Sequence, residues 1–200
     1  MLAVYTYAVG SNKLLGVRDV CPGGKDAPPW PPALPGAAAI SAEVSRRAPA
    51  PVTLAGGTDY LVRAAIVFYT TGRTGQPLTD LTIPAIPLGA YHLTATLSLA
   101  KTVWRWGDGA STTITTGDLT GRPYTDSVPC ESATQCQRYI SHVYTRPGHR
   151  TVTVQAFWHV TVTVDGTGQT IPVAADVYRA DPTGKTITLH RARVILVPNR

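Results

Sequence analysis

Charge is scarce in this chain: Asp, Glu, Lys and Arg make up 15% of its 200 residues, while 44% are hydrophobic. That ratio excludes compositional disorder and predicts a sizeable core, in one large β-domain or two small ones. The 18 basic residues outnumber the 12 acidic ones, giving a formal charge of +6, but no block of five or six cations occurs. Arg18, Arg63, Arg105, Arg150 and Arg191 are typical of the scatter. A dispersed excess reads as a solvated basic surface, with anionic envelope polymers as the lesser alternative, and argues against nucleic acid as a partner. Apolar runs stay far below the roughly eighteen residues of a membrane-spanning helix, so no transmembrane segment is expected. Catalytic signatures are missing too. HExxH, GxSxG, P-loop and GxGxxG patterns do not occur, so neither a catalytic residue nor a cofactor is predicted.

Alternation is what the chain does have. Tyr91 to Leu99, "YHLTATLSL", puts Tyr91, Leu93, Ala95, Leu97 and Leu99 on one face. Thr151 to Val164 keeps the same period with Val152, Val154, Ala156, Trp158, Val160, Val162 and Val164, interrupted only by Phe157. A strand that long is unusual, which predicts a bend or a hand-over between sheets near Phe157. The near-continuous apolar run from Tyr60, "YLVRAAIVFYT", fits a central strand. "DGTG" at Asp165 and "DPTGK" at Asp181 are turns bracketing a strand around Ile171 to Tyr178. A last strand, Thr186 to Val197, changes phase near His190 or Arg191, as a bulge would make it do. Seven or eight such strands predict an all-β sandwich.

Helix is confined to one segment, "AAAISAEVSRR" at Ala37 to Arg47, too short to be stable without packing. Ahead of it lies "CPGGKDAPPWPPALPG", with six prolines in sixteen residues, which must be largely extended and serves as a tether or a docking ligand. The expected organisation is an N-terminal β-segment over 1–20, a proline-rich linker with the short helix over 21–55, and a sandwich domain over 56–200.

The most distinctive stretch is "VWRWGDGAS" at Val103 to Ser111. Trp104 and Trp106 are two apart and share a strand face, with Arg105 opposite. Gly107 and Gly109 permit a tight turn, and the Asp108 carboxylate is placed to accept N–H groups across it. Later, "HVYTRPGHRTVTV" supplies His142, Tyr144, a Pro147-Gly148 turn and an alternating strand. These two motifs, in this order, resemble the paired signature of the polycystic kidney disease (PKD) domain, over roughly residues 90 to 165. The resemblance implies an immunoglobulin-like β-sandwich in which Trp104, Trp106, Gly107, Asp108, Gly109, His142, Tyr144, Pro147 and Gly148 are structural. Arg105 stands where members usually carry aspartate, and Ala110 to Ser141 is an insert. With the proline-rich preamble, the composition is similar to that of PKD-containing envelope or secreted proteins of high-GC actinobacteria.

Cys130 and Cys136 suit a disulfide in an oxidising compartment, with Cys21 left over. Zinc held by both, with Cys21 and His142, is the rival, although no CxxC knuckle is present; two buried thiols are the third option. The start "MLAVYTYAVG" has no basic n-region and no small-residue cleavage site, so no export signal is visible and an extracellular or envelope location would need a start codon upstream. The expected function is a non-enzymatic interaction or adhesion module binding a protein or a polysaccharide at the cell surface. Partner contact is expected on the insert, through Arg122, Tyr124 and Arg138. The alternatives are a structural subunit of a surface, phage or injection-system assembly, and an accessory domain of a secreted hydrolase.

Overall fold

The computed structural model describes residues 2–7, 14–20, 34–78, 80–127, 130, 136–166, 168–171, 173, 177–180 and 184–191. They divide into two compact units, Met1–Gly36 and Ala37–Arg200. In the first, β1 (Leu2–Tyr7) pairs antiparallel with β2 (Leu14–Val20), Leu2 opposite Val20. The proline-rich stretch and Cys21 lie outside the described residues as far as residue 33.

The second unit begins at Ala37, because the helix is packed and not a tether. In α1 (Ala37–Arg47), Ile40 and Val44 stand one turn apart on a single face and are 1% and 0% exposed. Packing therefore supplies what so short a helix lacks. Its C-terminal carbonyls are met from outside: Arg179 Nη1 donates to the carbonyls of Ser45 and Arg46, both at 2.9 Å. Three residues after Ala48 the chain enters β3 (Pro51–Ala55), which pairs with the main body.

Two strands carry the rest. β4 (Asp59–Leu61) and β5 (Ala65–Gly72) are separate elements, where one strand from Tyr60 was expected, because Arg63 between them sits at φ 66° and breaks the extended chain. β6 (Leu81–Leu88) is an edge strand whose Pro84 and Pro87 are tolerated there, with a bulge at Ala85 (φ 52°). β7 (Tyr91–Arg105) runs antiparallel to β10 (Gly148–Val164) along nearly its whole length. β8 (Ser111–Ile114) returns on β7, and β9 (Ile140–Val143) pairs with β5. The far edge of β10 is shared by β13 (Lys185–His190), β12 (Val177–Ala180) and β11 (Thr170–Ile171). β4 adds to β13 in parallel. The result is an eight-stranded sheet, β4-β13-β10-β7-β6 with β8, β11 and β12 attached, and a three-stranded sheet β3-β5-β9. β5 is thus central, as expected, but in the small sheet, and it alternates buried and half-buried residues.

The chain is all-β in character. More strands occur than the pattern suggested because edge pieces of two to four residues are too short to show a period. The region from Ile171 to Tyr178 holds parts of two strands, and the proposed phase change after His190 falls mostly outside the described residues.

Near Phe157, where a bend or a hand-over between sheets was expected, β10 runs on as one strand in the large sheet, and what occurs there is a register shift in its pairing with β7. Phe157 faces Lys101 while Trp158 faces Leu99, so Ala100 is an extra residue on β7. One added residue reverses the inward phase of β7, from Leu93, Ala95 and Leu97 to Thr102, Trp104 and Trp106. On either side of it lie two apolar clusters. One joins Ile40 and Val44 of α1 to Leu93, Leu97, Trp158 and Val162; the other joins Ile66 and Phe68 of the small sheet to Trp104, Trp106, Val152, Val154 and Ile187. β10 passes from one cluster to the other between Val154 and Ala156.

Candidate functional site

The Trp-Gly-Asp-Gly corner closes β7 at the second cluster. Trp104 and Trp106 are both buried and stack at 5.7 Å, and Phe68 leans on Trp106 at 5.4 Å. Every polar atom these rings carry inward is met. Trp104 Nε1 donates to Thr102 Oγ1 at 3.1 Å, and Trp106 Nε1 donates to Thr112 Oγ1 at 2.9 Å. Tyr144 donates its hydroxyl to the Trp106 carbonyl at 2.8 Å. Burial, and then the nearby Asp108 charge, push the Tyr144 phenol far above its usual range, so it remains a donor.

The turn itself is held from two sides. Gly107 sits at φ 75°, and a Cβ there would lie 2.6 Å from the Thr151 carbonyl oxygen, so only glycine fits. Asp108 Oδ1 accepts the Ala110 N–H at 3.0 Å, and Oδ2 meets His142 Nε2 at 2.8 Å. Burial alone would raise the Asp108 carboxyl; the His142 and Ala110 hydrogen bonds outweigh it and leave the group below the ordinary carboxylate range. His142 in turn stacks flat on Trp106 at 4.7 Å and meets the Tyr144 ring edge-on. Trp104, Trp106, Gly107, Asp108, His142 and Tyr144 therefore converge. Gly109, at φ 96°, serves the same turn, while Pro147 and Gly148 lead into β10.

The insert divides into a structural part and an open one. β8 extends the large sheet. Beyond it, Thr102 Oγ1 donates to the Leu119 carbonyl at 2.7 Å and the Thr70 N–H donates to the Thr120 carbonyl at 2.8 Å. Neighbouring residues of the insert are thus tied to both sheets. Gly121 (φ 69°) makes the approach close, since a Cβ would come 2.8 Å from the Phe68 carbonyl oxygen. Outside this anchor is a cleft of about 230 Å³, whose polar wall includes Thr116, Asp118, Arg122, Gln137 and Arg138. Arg122 Nε lies 3.6 Å from Asp118 Oδ2, both well exposed, a pairing of little energetic weight. Tyr124 is 48% exposed and leans on the buried Tyr139 at 6.0 Å. Arg122 and Arg138 thus share one cleft, and Tyr124 does not line it but leans on Tyr139, which does.

Cys130 and Cys136 are joined in a disulfide, immediately before Gln137 and Arg138. That pairing removes both thiols from the zinc alternative, and His142 is engaged with Asp108. Among the described residues, no three His, Cys, Asp or Glu side chains gather as a metal would require. None of their helices is long and apolar enough to cross a membrane. The groups that sequence reasoning missed are the threonines. Thr102 is 0% exposed, and its place in the Trp104–Trp106 phase was the available signal. Compared with known proteins, the chain matches no family model and no curated protein.

Proposed function

We propose that the chain is an immunoglobulin-like, PKD-type sandwich acting as a non-enzymatic interaction or adhesion module outside the cell or in its envelope, with a protein or glycan partner. The family reading is supported by the corner, where Trp106 and Asp108 of the first motif meet His142 and Tyr144 of the second. Binding in preference to catalysis is supported by one observation above others. His142 and Asp108, the His–Asp pair of the signature, are committed to holding the turn, whereas the insert presents two guanidiniums in an open cleft. The disulfide pre-orders the segment that carries Arg138, which lowers the entropic cost of binding. An oxidising location suits that bond.

Removing Ala110 to Ser141 outright is a poor test, because β8 and the Leu119 and Thr120 carbonyls belong to the core's support. The sharper experiment substitutes Arg122, Tyr124 and Arg138 together by alanine and measures capture of defined envelope polysaccharides and surface proteins. The expected result is loss of capture at an unchanged melting temperature. A triple variant that melts normally and keeps every partner overturns the reading.

A further inference from the structure

We propose that a second cleft, between the Gly-Asp-Gly corner and the turn entering β10, binds a uronate: a sugar residue carrying a single carboxylate. The cleft, about 370 Å³, is lined by Asp108, Tyr144, Thr145, Arg146 and Arg150. That size lies at the low end of small-molecule sites, about 300–1,000 Å³. Apart from the Tyr144 ring its side chains are polar or charged, which disfavours an apolar ligand.

The charges decide the class. Arg146 and Arg150 bring two permanent cations, and neither makes an ion pair among the described residues. Arg150 Nη1 donates to the His149 carbonyl at 2.7 Å, while its buried Nε finds no partner among the described residues. A buried donor left unmet is costly, and the Nε–Nη2 edge is the fork that a carboxylate engages with two oxygens. Arg150 is therefore oriented through Nη1, and its Nε, on the opposite edge, is unmet among the described residues.

Asp108 narrows the choice further. Its carboxylate stands on the same wall and would repel a doubly charged anion more than a singly charged one, which weighs against a phosphate dianion. Carboxylate oxygens retain lone pairs beyond those used by Ala110 and His142, so they accept hydroxyl donors. Thr145 adds a hydroxyl that both donates and accepts. One carboxylate on the guanidiniums and hydroxyls on Asp108 and Thr145 describe a uronate. The inference stands on this cleft and not on the insert or the family reading.

The test is calorimetric titration of the full chain with a tri-uronate, a neutral trisaccharide of the same linkage, and inorganic phosphate. Saturable binding of the tri-uronate alone is expected, weakened about tenfold or more by Arg146→Gln and by Arg150→Gln. Arg122→Gln, in the insert cleft, should leave it unchanged. Arg146 is exposed on the turn, so its variant decides the matter even if Arg150→Gln fails to fold. No tri-uronate binding, equal binding of phosphate, or binding indifferent to Arg146→Gln overturns the proposal. Loss with Arg122→Gln alone would move the ligand to the insert, which also overturns it. If partner capture by the insert fails while this binding persists, only the interaction reading of the insert falls.

Discussion

The two apolar clusters along β7 and β10 are built on different terms. At the helix end the core is mostly aliphatic, with Ile40, Val44, Leu93, Leu97 and Val162, and its one tryptophan, Trp158, buries an Nε1 that meets no partner among the described residues. At the corner end four aromatics, Phe68, Trp104, Trp106 and Tyr144, sit among the aliphatic side chains, and Trp104, Trp106 and Tyr144 each place their polar atom on a named acceptor. The first is held by burial, which is tolerant of shape as long as volume is kept. The second adds directional bonds that fix one arrangement, and those bonds also connect the core to its loops. Thr102 shows the connection: its hydroxyl accepts from Trp104 and donates to the Leu119 carbonyl of the insert. If the two proposed clefts bind, a surface presenting Arg122, Arg138, Arg146 and Arg150 would be better served by the second kind of core.

The contrast predicts, first, that Trp106→Ala is the most damaging single change. Truncating a buried tryptophan costs about 3–5 kcal/mol. Here the loss extends to His142, which stacks on that ring, and to Thr112, left without its donor. Urea unfolding should show a large fall in midpoint. An unchanged midpoint would mean that the corner does not hold the fold.

Next in size is Gly107→Ala. The left-handed backbone costs a Cβ-bearing residue about 1–2 kcal/mol, and contact with the Thr151 backbone adds to it. Gly109→Ala is the control, because it shares the positive φ (96°) but meets nothing within 4 Å. Alanine at 107 should therefore lower the melting temperature clearly more than alanine at 109. Equal effects would show that backbone conformation, and not close approach to β10, explains the Gly-Asp-Gly spacing.

Much of this corner was legible because its causes are local. Glycines at 107 and 109, an aspartate between them and two tryptophans at strand spacing each act within a few residues. Alternation likewise revealed β10, and its unusual length pointed to an irregularity near Phe157, which is a register shift against β7 and not a hand-over between sheets. The phase change from Leu97 to Trp104 was equally present in the sequence and marks the bulge at Ala100. What could not be read is non-local. Nothing in "DYL" indicates parallel pairing with β13, and nothing near α1 indicates that Arg179 will cap it. Residue type singled out Arg122, Tyr124 and Arg138 for contact on the insert, but nothing in the sequence showed that Arg122 and Arg138 would line one cleft. Its depth depends on how Gly121 passes the Phe68 carbonyl, which only the folded chain defines.

Asp108 gives a third, pH-dependent test. Its folded carboxyl is held below the ordinary range, so its contribution is complete above the unfolded value, about 3.9, and is lost as pH falls through the folded one. At neutral pH, Asp108→Ala should cost about 1–3 kcal/mol through the unmet Ala110 N–H and the lost His142 bond. The gap in melting temperature between wild type and variant should narrow on acidification below about pH 4. A gap that widened in acid would place the stabilising group elsewhere.

The finest comparison sets one tryptophan of each cluster against the other. Trp106→Phe and Trp158→Phe delete the same atoms from sites that are 1% and 0% exposed, so the transfer and cavity costs are similar. The nitrogen is the difference. At 106 the substitution breaks a 2.9 Å bond and leaves the Thr112 hydroxyl without it, whereas at 158 it removes a donor that meets nothing among the described residues. Losing a satisfied bond costs about 1 kcal/mol, and deleting an unmet buried donor gives some free energy back. Trp106→Phe should therefore destabilise more than Trp158→Phe by about 1 kcal/mol or slightly above, read from paired denaturant melts with equal slopes. If the two variants fall together, the hydrogen bonds at the corner carry no net stability, and the two cores differ in shape alone.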